Sequence, residues 1–316
     1  MKKILCQFAV AMAVLWVTTA VISALSVERD GPDWSNGETT VARESALTVG
    51  LLTPEGIVEL PMEEYITGVL AREMPANFHS EAKKAQAIAA RTFALNTARL
   101  GLKHGVGIIC PDPECCQGYL DYDEYMDLGG SQDGYRMAQE AAEATRDLVI
   151  TYDGALIDAT YFSCSGGKTE AAVAVWGSDI PYLQAVDSPG EEEARFYMNT
   201  EYFSAQELEV SLGINLPDNS KDWINGVTYT DGGGVQTMGI GGKEFAGTQL
   251  RKVLGLRSQS FTVTVLSGGV LITTRGWGHR VGMSQYGAEA MAKNGCGYEE
   301  ILTHYYQGVE IRVYEQ

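Results

Sequence analysis

Residues 80–100 read SEAKKAQAIAARTFALNTARL, and Gly101 follows. Ser80 suits a helix N-cap, Glu81 places negative charge in the first turn, the alanine-rich interior favours helix, and the glycine stops it. The stretch therefore predicts one long helix over 80–100. Steps of about 100° per residue bring Lys84, Ile88 and Arg91 to one side with Glu81 nearby, while Ala82, Ala85, Ala89 and Phe93 form another stripe. The small side chains allow close burial, so the two cations are expected to rim a feature of the fold rather than stand free in solvent.

Upstream, ALTVGLL and GIVEL flank Thr53, Pro54 and Glu55 as the arms of a hairpin. Pro61 then opens a short helix from Met62 to about Arg72, because proline suits the first helical turn. Downstream come a Gly/Pro/Cys loop (105–117), an alanine-rich helix near Tyr135 to Thr145, and the strand-like runs LVITYDG and ALIDATYFS. Residues 191 to about 264 change character. They open on the acidic run Glu191 to Glu193, carry a helix after the N-cap Ser204, and hold the glycine-rich DGGG and GIGG. The final FTVTVLSGGVLITT reads as another hairpin, leading into a glycine-rich loop and a short C-terminal helix. The mixture predicts an α+β protein. A single catalytic core is expected from residues 46–190 together with 265–316, and 191–264 are expected to form a second, smaller lobe flanking a substrate cleft.

With 316 residues, 45% of them apolar and 20% charged, the chain has the make-up of an ordinary folded protein of one or two domains. Its 41 acidic and 23 basic residues leave a net charge of -18, which repels phosphate backbones, and no dense Lys/Arg run offsets it locally. Nucleic acid is thereby excluded as an expected partner. Lys2 and Lys3 precede an uncharged, mostly apolar stretch from Ile4 to Leu25, long enough to cross a bilayer as a helix. Residues 1–25 are thus read as a membrane anchor with a cytoplasmic N-terminus, and 26–45 as a polar linker. Ser23, Ala24 and Ser26 keep signal-peptide cleavage open as the alternative.

Three stretches carry chemistry. Glu73 follows the Met62 helix and precedes Met74 and Pro75, where proline prevents simple continuation, so its carboxylate is held on a firm element and can face a cleft. A solvated helix end shows the same pattern, and Glu73 alone decides nothing. KHGVGIICPDPECCQGY spaces His104, Cys110 and Cys116 six residues apart, with Cys115 extra. Spacing alone leaves zinc and a Cys110–Cys116 disulfide open; the histidine, which only a metal needs, favours the metal. In GWGHRVGMSQYGA four glycines permit close backbone approach, and His279, Ser284 and Gln285 are expected to project into the same cleft. No G-x-S-x-G elbow accompanies Ser284, which argues against a serine hydrolase.

AREMPANFHSEAKKAQAIAARTFAL, YFSCSGGKTE and GWGHRVGMSQYGA, in this order and spacing, resemble the signature blocks of the stage II sporulation protein D family. The resemblance spans about Ala46 to Tyr305. It implies a lytic transglycosylase that cleaves peptidoglycan glycan strands, stripped of stem peptides, during engulfment in endospore formation. It implies, too, a single-pass anchor in the mother-cell membrane with the catalytic body facing the septal wall, and a sporulation amidase as partner. Glu73 becomes the general acid/base, and His104, Cys110 and Cys116 become ligands of a structural zinc beside the cleft. Cys115 departs from the family pattern, as does Gln184 in PYLQAV, where members commonly carry lysine; Tyr182 keeps an aromatic surface for stacking on sugar.

The chemistry constrains these roles. Glycosidic cleavage requires protonation of the leaving oxygen, which one carboxylic acid supplies. In a transglycosylase the muramic acid 6-hydroxyl attacks the anomeric carbon, and the same residue then takes that hydroxyl's proton. An acid working near neutrality needs a raised pKa, and a nearby cation lowers it. Lys84 and Arg91 are therefore assigned to substrate, the lactyl carboxylate or acetamido oxygens, rather than to Glu73. A zinc-dependent amidase and a non-catalytic wall-binding module are the competing classes.

Overall fold

The turn at Thr53 to Gly56 folds the chain back on itself. Strand β1 (Thr48–Thr53) pairs antiparallel with β2 (Gly56–Pro61), and β3 (Ile108–Ile109) adds parallel to β1. The computed structural model describes residues 47–101 and 103–315. The anchor and linker expected over 1–45 lie outside them, and among the described residues no helix is long and apolar enough to cross a membrane.

Helix α1 (Met62–Glu73) starts directly behind Pro61 and ends where Met74 turns extended before Pro75. Helix α2 (Ser80–Leu100) spans the predicted stretch and stops at Gly101, whose φ of 62° is a left-handed cap. Its cap sits one residue earlier than the sequence suggests: His79 Nδ1 accepts from the Glu81 N–H. Ala82, Ala85, Ala87, Ala89, Ala90 and Ala94 are fully buried, as an alanine stripe at the centre of a packed body requires.

Beyond α2 come α3 (Tyr122–Asp127), α4 (Gln132–Ala144), β4 (Leu148–Tyr152), β5 (Ala155–Leu156), β6 (Tyr161–Phe162) and α5 (Ala172–Trp176). At the C-terminal end the closing elements are β13 (Met283–Ser284), α8 (Gln285–Lys293), α9 (Tyr298–Tyr305) and β14 (Glu310–Val313). Helix α2 packs against α1, α4, α8, α9 and β4, so residues far apart in the chain share its faces. Strand β14 pairs with β4, and β13 runs parallel to β6.

Between these parts lie β7 (Met198–Ser204), α6 (Ala205–Leu212), β8 (Ile224–Tyr229), β9 (Val235–Ile240), β10 (Lys243–Ala246), α7 (Gly247–Leu254), β11 (Phe261–Leu266) and β12 (Gly269–Arg275). Helix α6 begins in the capping box formed by Ser204 and Glu207. Leu208, Trp223, Met238, Leu250, Phe261 and Ile272 belong to a second cluster of buried apolar side chains, apart from the one around α2. Several small sheets with helices packed on them make the protein α+β, as its sequence predicts.

A buried polar knot joins the segments. Arg280 donates to the Glu170 carboxylate at 3.1 Å and to the carbonyls of Ser165, Lys168 and Gly232, while Glu170 also accepts from the Gly234 N–H. Arg280 holds a φ of 66°, a left-handed conformation that its bonds over-determine.

Candidate active site

Helix α1 ends on Glu73, and the extended residue after it turns the chain away from the carboxylate. Glu73 Oε1 accepts from the Gly118 N–H at 3.1 Å. A Cβ on residue 118 would lie 2.5 Å from that oxygen, so glycine is what admits the loop backbone to the acid. Burial pushes the Glu73 pKa above its ordinary value; the Gly118 N–H, Arg72 and the Gln285 amide pull it back without reversing the shift.

Gln285, only 5% exposed, begins α8 on the same side. Its amide is close enough to draw on the Glu73 charge, yet its Nε2 has no hydrogen-bond partner among the described residues. It is therefore a near neighbour of the acid rather than a bonded one, a buried donor beside Glu73 that the fold does not satisfy.

The loop carrying Gly118 is itself pinned. Tyr65 on α1 donates its hydroxyl to Gln117 Oε1 at 3.1 Å, and Gln117 Nε2 donates to the Tyr161 hydroxyl at 2.9 Å. Tyr119 stacks on Tyr65 with nearly parallel rings, and it lies so close to Gly68 that a Cβ there would meet the ring at 2.2 Å. Two residues before Gly118 stands the cysteine cluster. One donor atom each from His104, Cys110, Cys115 and Cys116 lies within 4.8 Å of the others, and all three thiols are free. An imidazole with thiolates is the donor set of zinc, so His104, Cys110 and Cys116, the three ligands read from the sequence, fit it, and Cys115 stands among them. Burial pushes the Cys116 thiol up to about 12, so a metal ion would have to displace its proton.

The remaining candidates are engaged by other groups of the protein. Arg91 is overturned as a substrate contact: fully buried, it donates to Glu63 Oε2 at 2.5 Å and to the carbonyls of Leu148 and Ala142. Ser284 is likewise a structural residue, donating to Glu191 Oε1 at 2.6 Å and accepting from the Gly287 N–H as the cap of α8. Lys84 pairs with Glu81 at 2.7 Å, and Glu81 also accepts from the Tyr298 N–H, which ties α2 to α9. Tyr182 accepts from the Asp158 N–H and leans on Tyr152. His279 packs against Phe162 and Trp176 and its Nδ1 accepts from the Val281 N–H; burial, helped by Arg251, lowers its pKa to about 4, so the ring is neutral near pH 7. Its bond partners and those of Ser284 are different groups, which removes a Ser–His catalytic pair.

Sequence reading missed Gly118, Gln117 and Tyr65 as supports of Glu73, and Glu63 as the partner of Arg91. A glycine just behind a cysteine cluster was a usable signal for the first. Nothing local marks Glu63, whose partner lies 28 residues on.

The family model described as Stage II sporulation protein matches residues 54–152, which include α1, Glu73 and the cysteine loop. Stage II sporulation protein D of Bacillus amyloliquefaciens is 38% identical over 284 residues, covering 88% of this chain and 82% of that relative. The chain belongs to the stage II sporulation protein D family. The same family protein of Bacillus subtilis (strain 168) is 37% identical over 285 residues, covering 89% of this chain and 82% of the relative. An amidase enhancer of Bacillus subtilis (strain 168) is 29% identical over 305 residues, covering 79% of this chain but 40% of its own length. The matched family model spans the segment holding Glu73.

Proposed function

We propose that the chain is a peptidoglycan lytic transglycosylase acting in engulfment during endospore formation, with Glu73 as its single acid/base. The observation that carries this reading is a carboxyl fixed at a helix end, raised in pKa by burial despite the neighbouring Arg72, bonded by one backbone N–H and in no salt bridge among the described residues. Such a carboxyl stays protonated at higher pH than a solvated one and can donate to a leaving glycosidic oxygen. The buried Gln285 amide beside it, without a partner among the described residues, is suited to bond the Glu73 carboxylate once it ionises. Once ionised, Glu73 accepts the proton of the muramic acid 6-hydroxyl as that oxygen closes on the anomeric carbon, and a 1,6-anhydro end results. One carboxylate serves both halves, which agrees with the absence of an acidic group among the described residues that perturb Glu73.

Lys84, Tyr182 and His279 remain candidates for contact with sugars farther along the strand, in a cleft between the core and the 191–264 segment. Zinc bound by His104, Cys110 and Cys116 would stiffen the loop that delivers Gly118 to Glu73. The chain would act from the mother-cell membrane on the septal wall, held by its N-terminal segment. An amidase that strips stem peptides is the natural partner, and the kinship to a protein named amidase enhancer supports that pairing.

Mass spectrometry of peptidoglycan, intact and amidase-stripped, after incubation with the full-length chain tests the reading. Anhydro-muramic ends on the stripped glycan are the expected product. Free reducing ends would make it a hydrolase, released stem peptides an amidase, and bound but uncut glycan a wall-binding module.

A further inference from the structure

The cysteine loop contains one more donor than a three-ligand site requires. Cys115 and Cys116 adjoin in a tight turn in which both backbone N–H groups donate to the Asp112 carbonyl, at 3.0 and 2.7 Å. The turn directs both sulfurs to the same point. Cys115 Sγ lies 3.3 Å from His104 Nε2 and 4.0 Å from Cys116 Sγ, and the donor atom of Cys110 completes a group that spans no more than 4.8 Å. With Zn–S bonds of about 2.3 Å and Zn–N bonds of about 2.0–2.1 Å, a tetrahedron has edges of roughly 3.8 Å between sulfurs and 3.5 Å between sulfur and nitrogen. The two separations that involve Cys115 are within a few tenths of an ångström of those edges.

We propose that Cys115 is a fourth ligand, so that His104, Cys110, Cys115 and Cys116 form a closed Cys3His zinc site with no position for water or substrate. The proposal rests on reading this loop as a zinc site and adds what kind of site it is. Binding releases one proton from each of the three thiols to solvent, and a neutral imidazole releases none. Three thiolates and a divalent ion leave one net negative charge. Lys103, next to His104, donates its ammonium to the Cys115 carbonyl and so brings a positive charge to the site's edge. Closing the fourth position removes the metal-bound water that a zinc hydrolase depends on. A metal held there would order the backbone of Cys116, Gln117 and Gly118, whose N–H holds Glu73, and would take no direct part in the reaction.

X-ray absorption at the zinc edge of the full-length protein, purified under reducing conditions, counts the ligands directly. Three sulfurs and one nitrogen are expected; two sulfurs with two nitrogen or oxygen neighbours would overturn the assignment of Cys115 while leaving the metal site standing. Absence of stoichiometric zinc, or a Cys110–Cys116 disulfide in the native protein, would instead overturn the metal reading beneath it. Cobalt substitution gives the second measurement. In Cys115→Ser the thiolate-to-cobalt charge-transfer band should fall by about one third, as three thiolates become two. Metal affinity should fall by more than the roughly 10–100-fold lost with an outer-shell partner. A band of unchanged intensity would again sink the role of Cys115.

Discussion

Glu191 and Glu73 are both carboxylates drawn out of water, and the fold treats them in opposite ways. Glu191 accepts from the backbone N–H groups of Ser165 and Gly166, from the hydroxyls of Ser165, Ser188 and Ser284, and from the Cys164 thiol. Glu73 takes one such bond, from Gly118. A carboxylate whose lone pairs are filled by fixed donors holds segments together. One withdrawn from water with few donors has its neutral form favoured, and it is free to pass a proton to something else. The charged pairs Arg280–Glu170 and Arg91–Glu63 belong with Glu191: each guanidinium has further carbonyl acceptors and serves the core.

The contrast breaks if Glu73 turns out to be structural. Glu73→Gln keeps the shape and the Gly118 bond but removes the transferable proton, so glycan cleavage should fall by at least about 100-fold in product yield. Glycan binding and cooperative unfolding should persist. Substantial residual turnover would end the assignment. On the other side, Arg280→Met leaves the buried Glu170 carboxylate without its counter-ion, and denaturant unfolding should register a loss of about 3–5 kcal/mol. An unchanged midpoint would mean the knot does not stabilise the chain.

Gly118→Ala sharpens the link between loop and acid. The new Cβ would meet Glu73 Oε1 at 2.5 Å, and a shift of about 1 Å at a reacting group costs on the order of 100-fold. A fall of roughly 10–100-fold in cleavage, with the protein still folded, is the expected reading from the same product assay. Wild-type activity would show that the loop yields without disturbing the acid.

The smallest effect lies in stability against pH. Because burial raises the Glu73 pKa in the folded state, the folded chain binds more protons than the unfolded one between the ordinary carboxylate range and the raised value. Stability from this group falls as pH rises through that window, and the cost of the buried charge is fully present above it. Glu73→Gln removes that cost. Thermal melts should show the variant more stable than the parent at neutral pH, with the gain vanishing below about pH 4. An equal offset at both pH values would show that burial of the charge is not its source.

Much of the site was legible because its signals are local. Glu73 was marked by the helix before it and the proline after it, and His104 with Cys110 and Cys116 by residue type and spacing. The charges were not. Lys84 and Arg91 share a predicted helix face, yet Lys84 meets Glu81 within the same helix and Arg91 meets a glutamate on another. Glu191 opens an acidic run, and it turns inward while Glu192 and Glu193 remain exposed. In GWGHRVGMSQYGA, Ser284 and Gln285 are neighbours in sequence with divergent environments: one hydroxyl is bonded to Glu191, and one amide is left unsatisfied near Glu73.

The sequence by itself determined the helices, hairpins and motif blocks, because caps, proline entries, glycine stops and alternation act over a few residues. It also carried the family relationship, which resides in the order of those blocks. Only the tertiary structure decided which charge answers which, that Glu73 is raised by burial rather than lowered by Lys84 or Arg91, and that a third sulfur stands with the other three donors. Those outcomes depend on groups brought together across 28, 45 and 110 residues of chain, as in Arg91 with Glu63, Gly118 with Glu73, and Arg280 with Glu170. Burial and through-space charge are properties of that packing, and no short-range pattern encodes them.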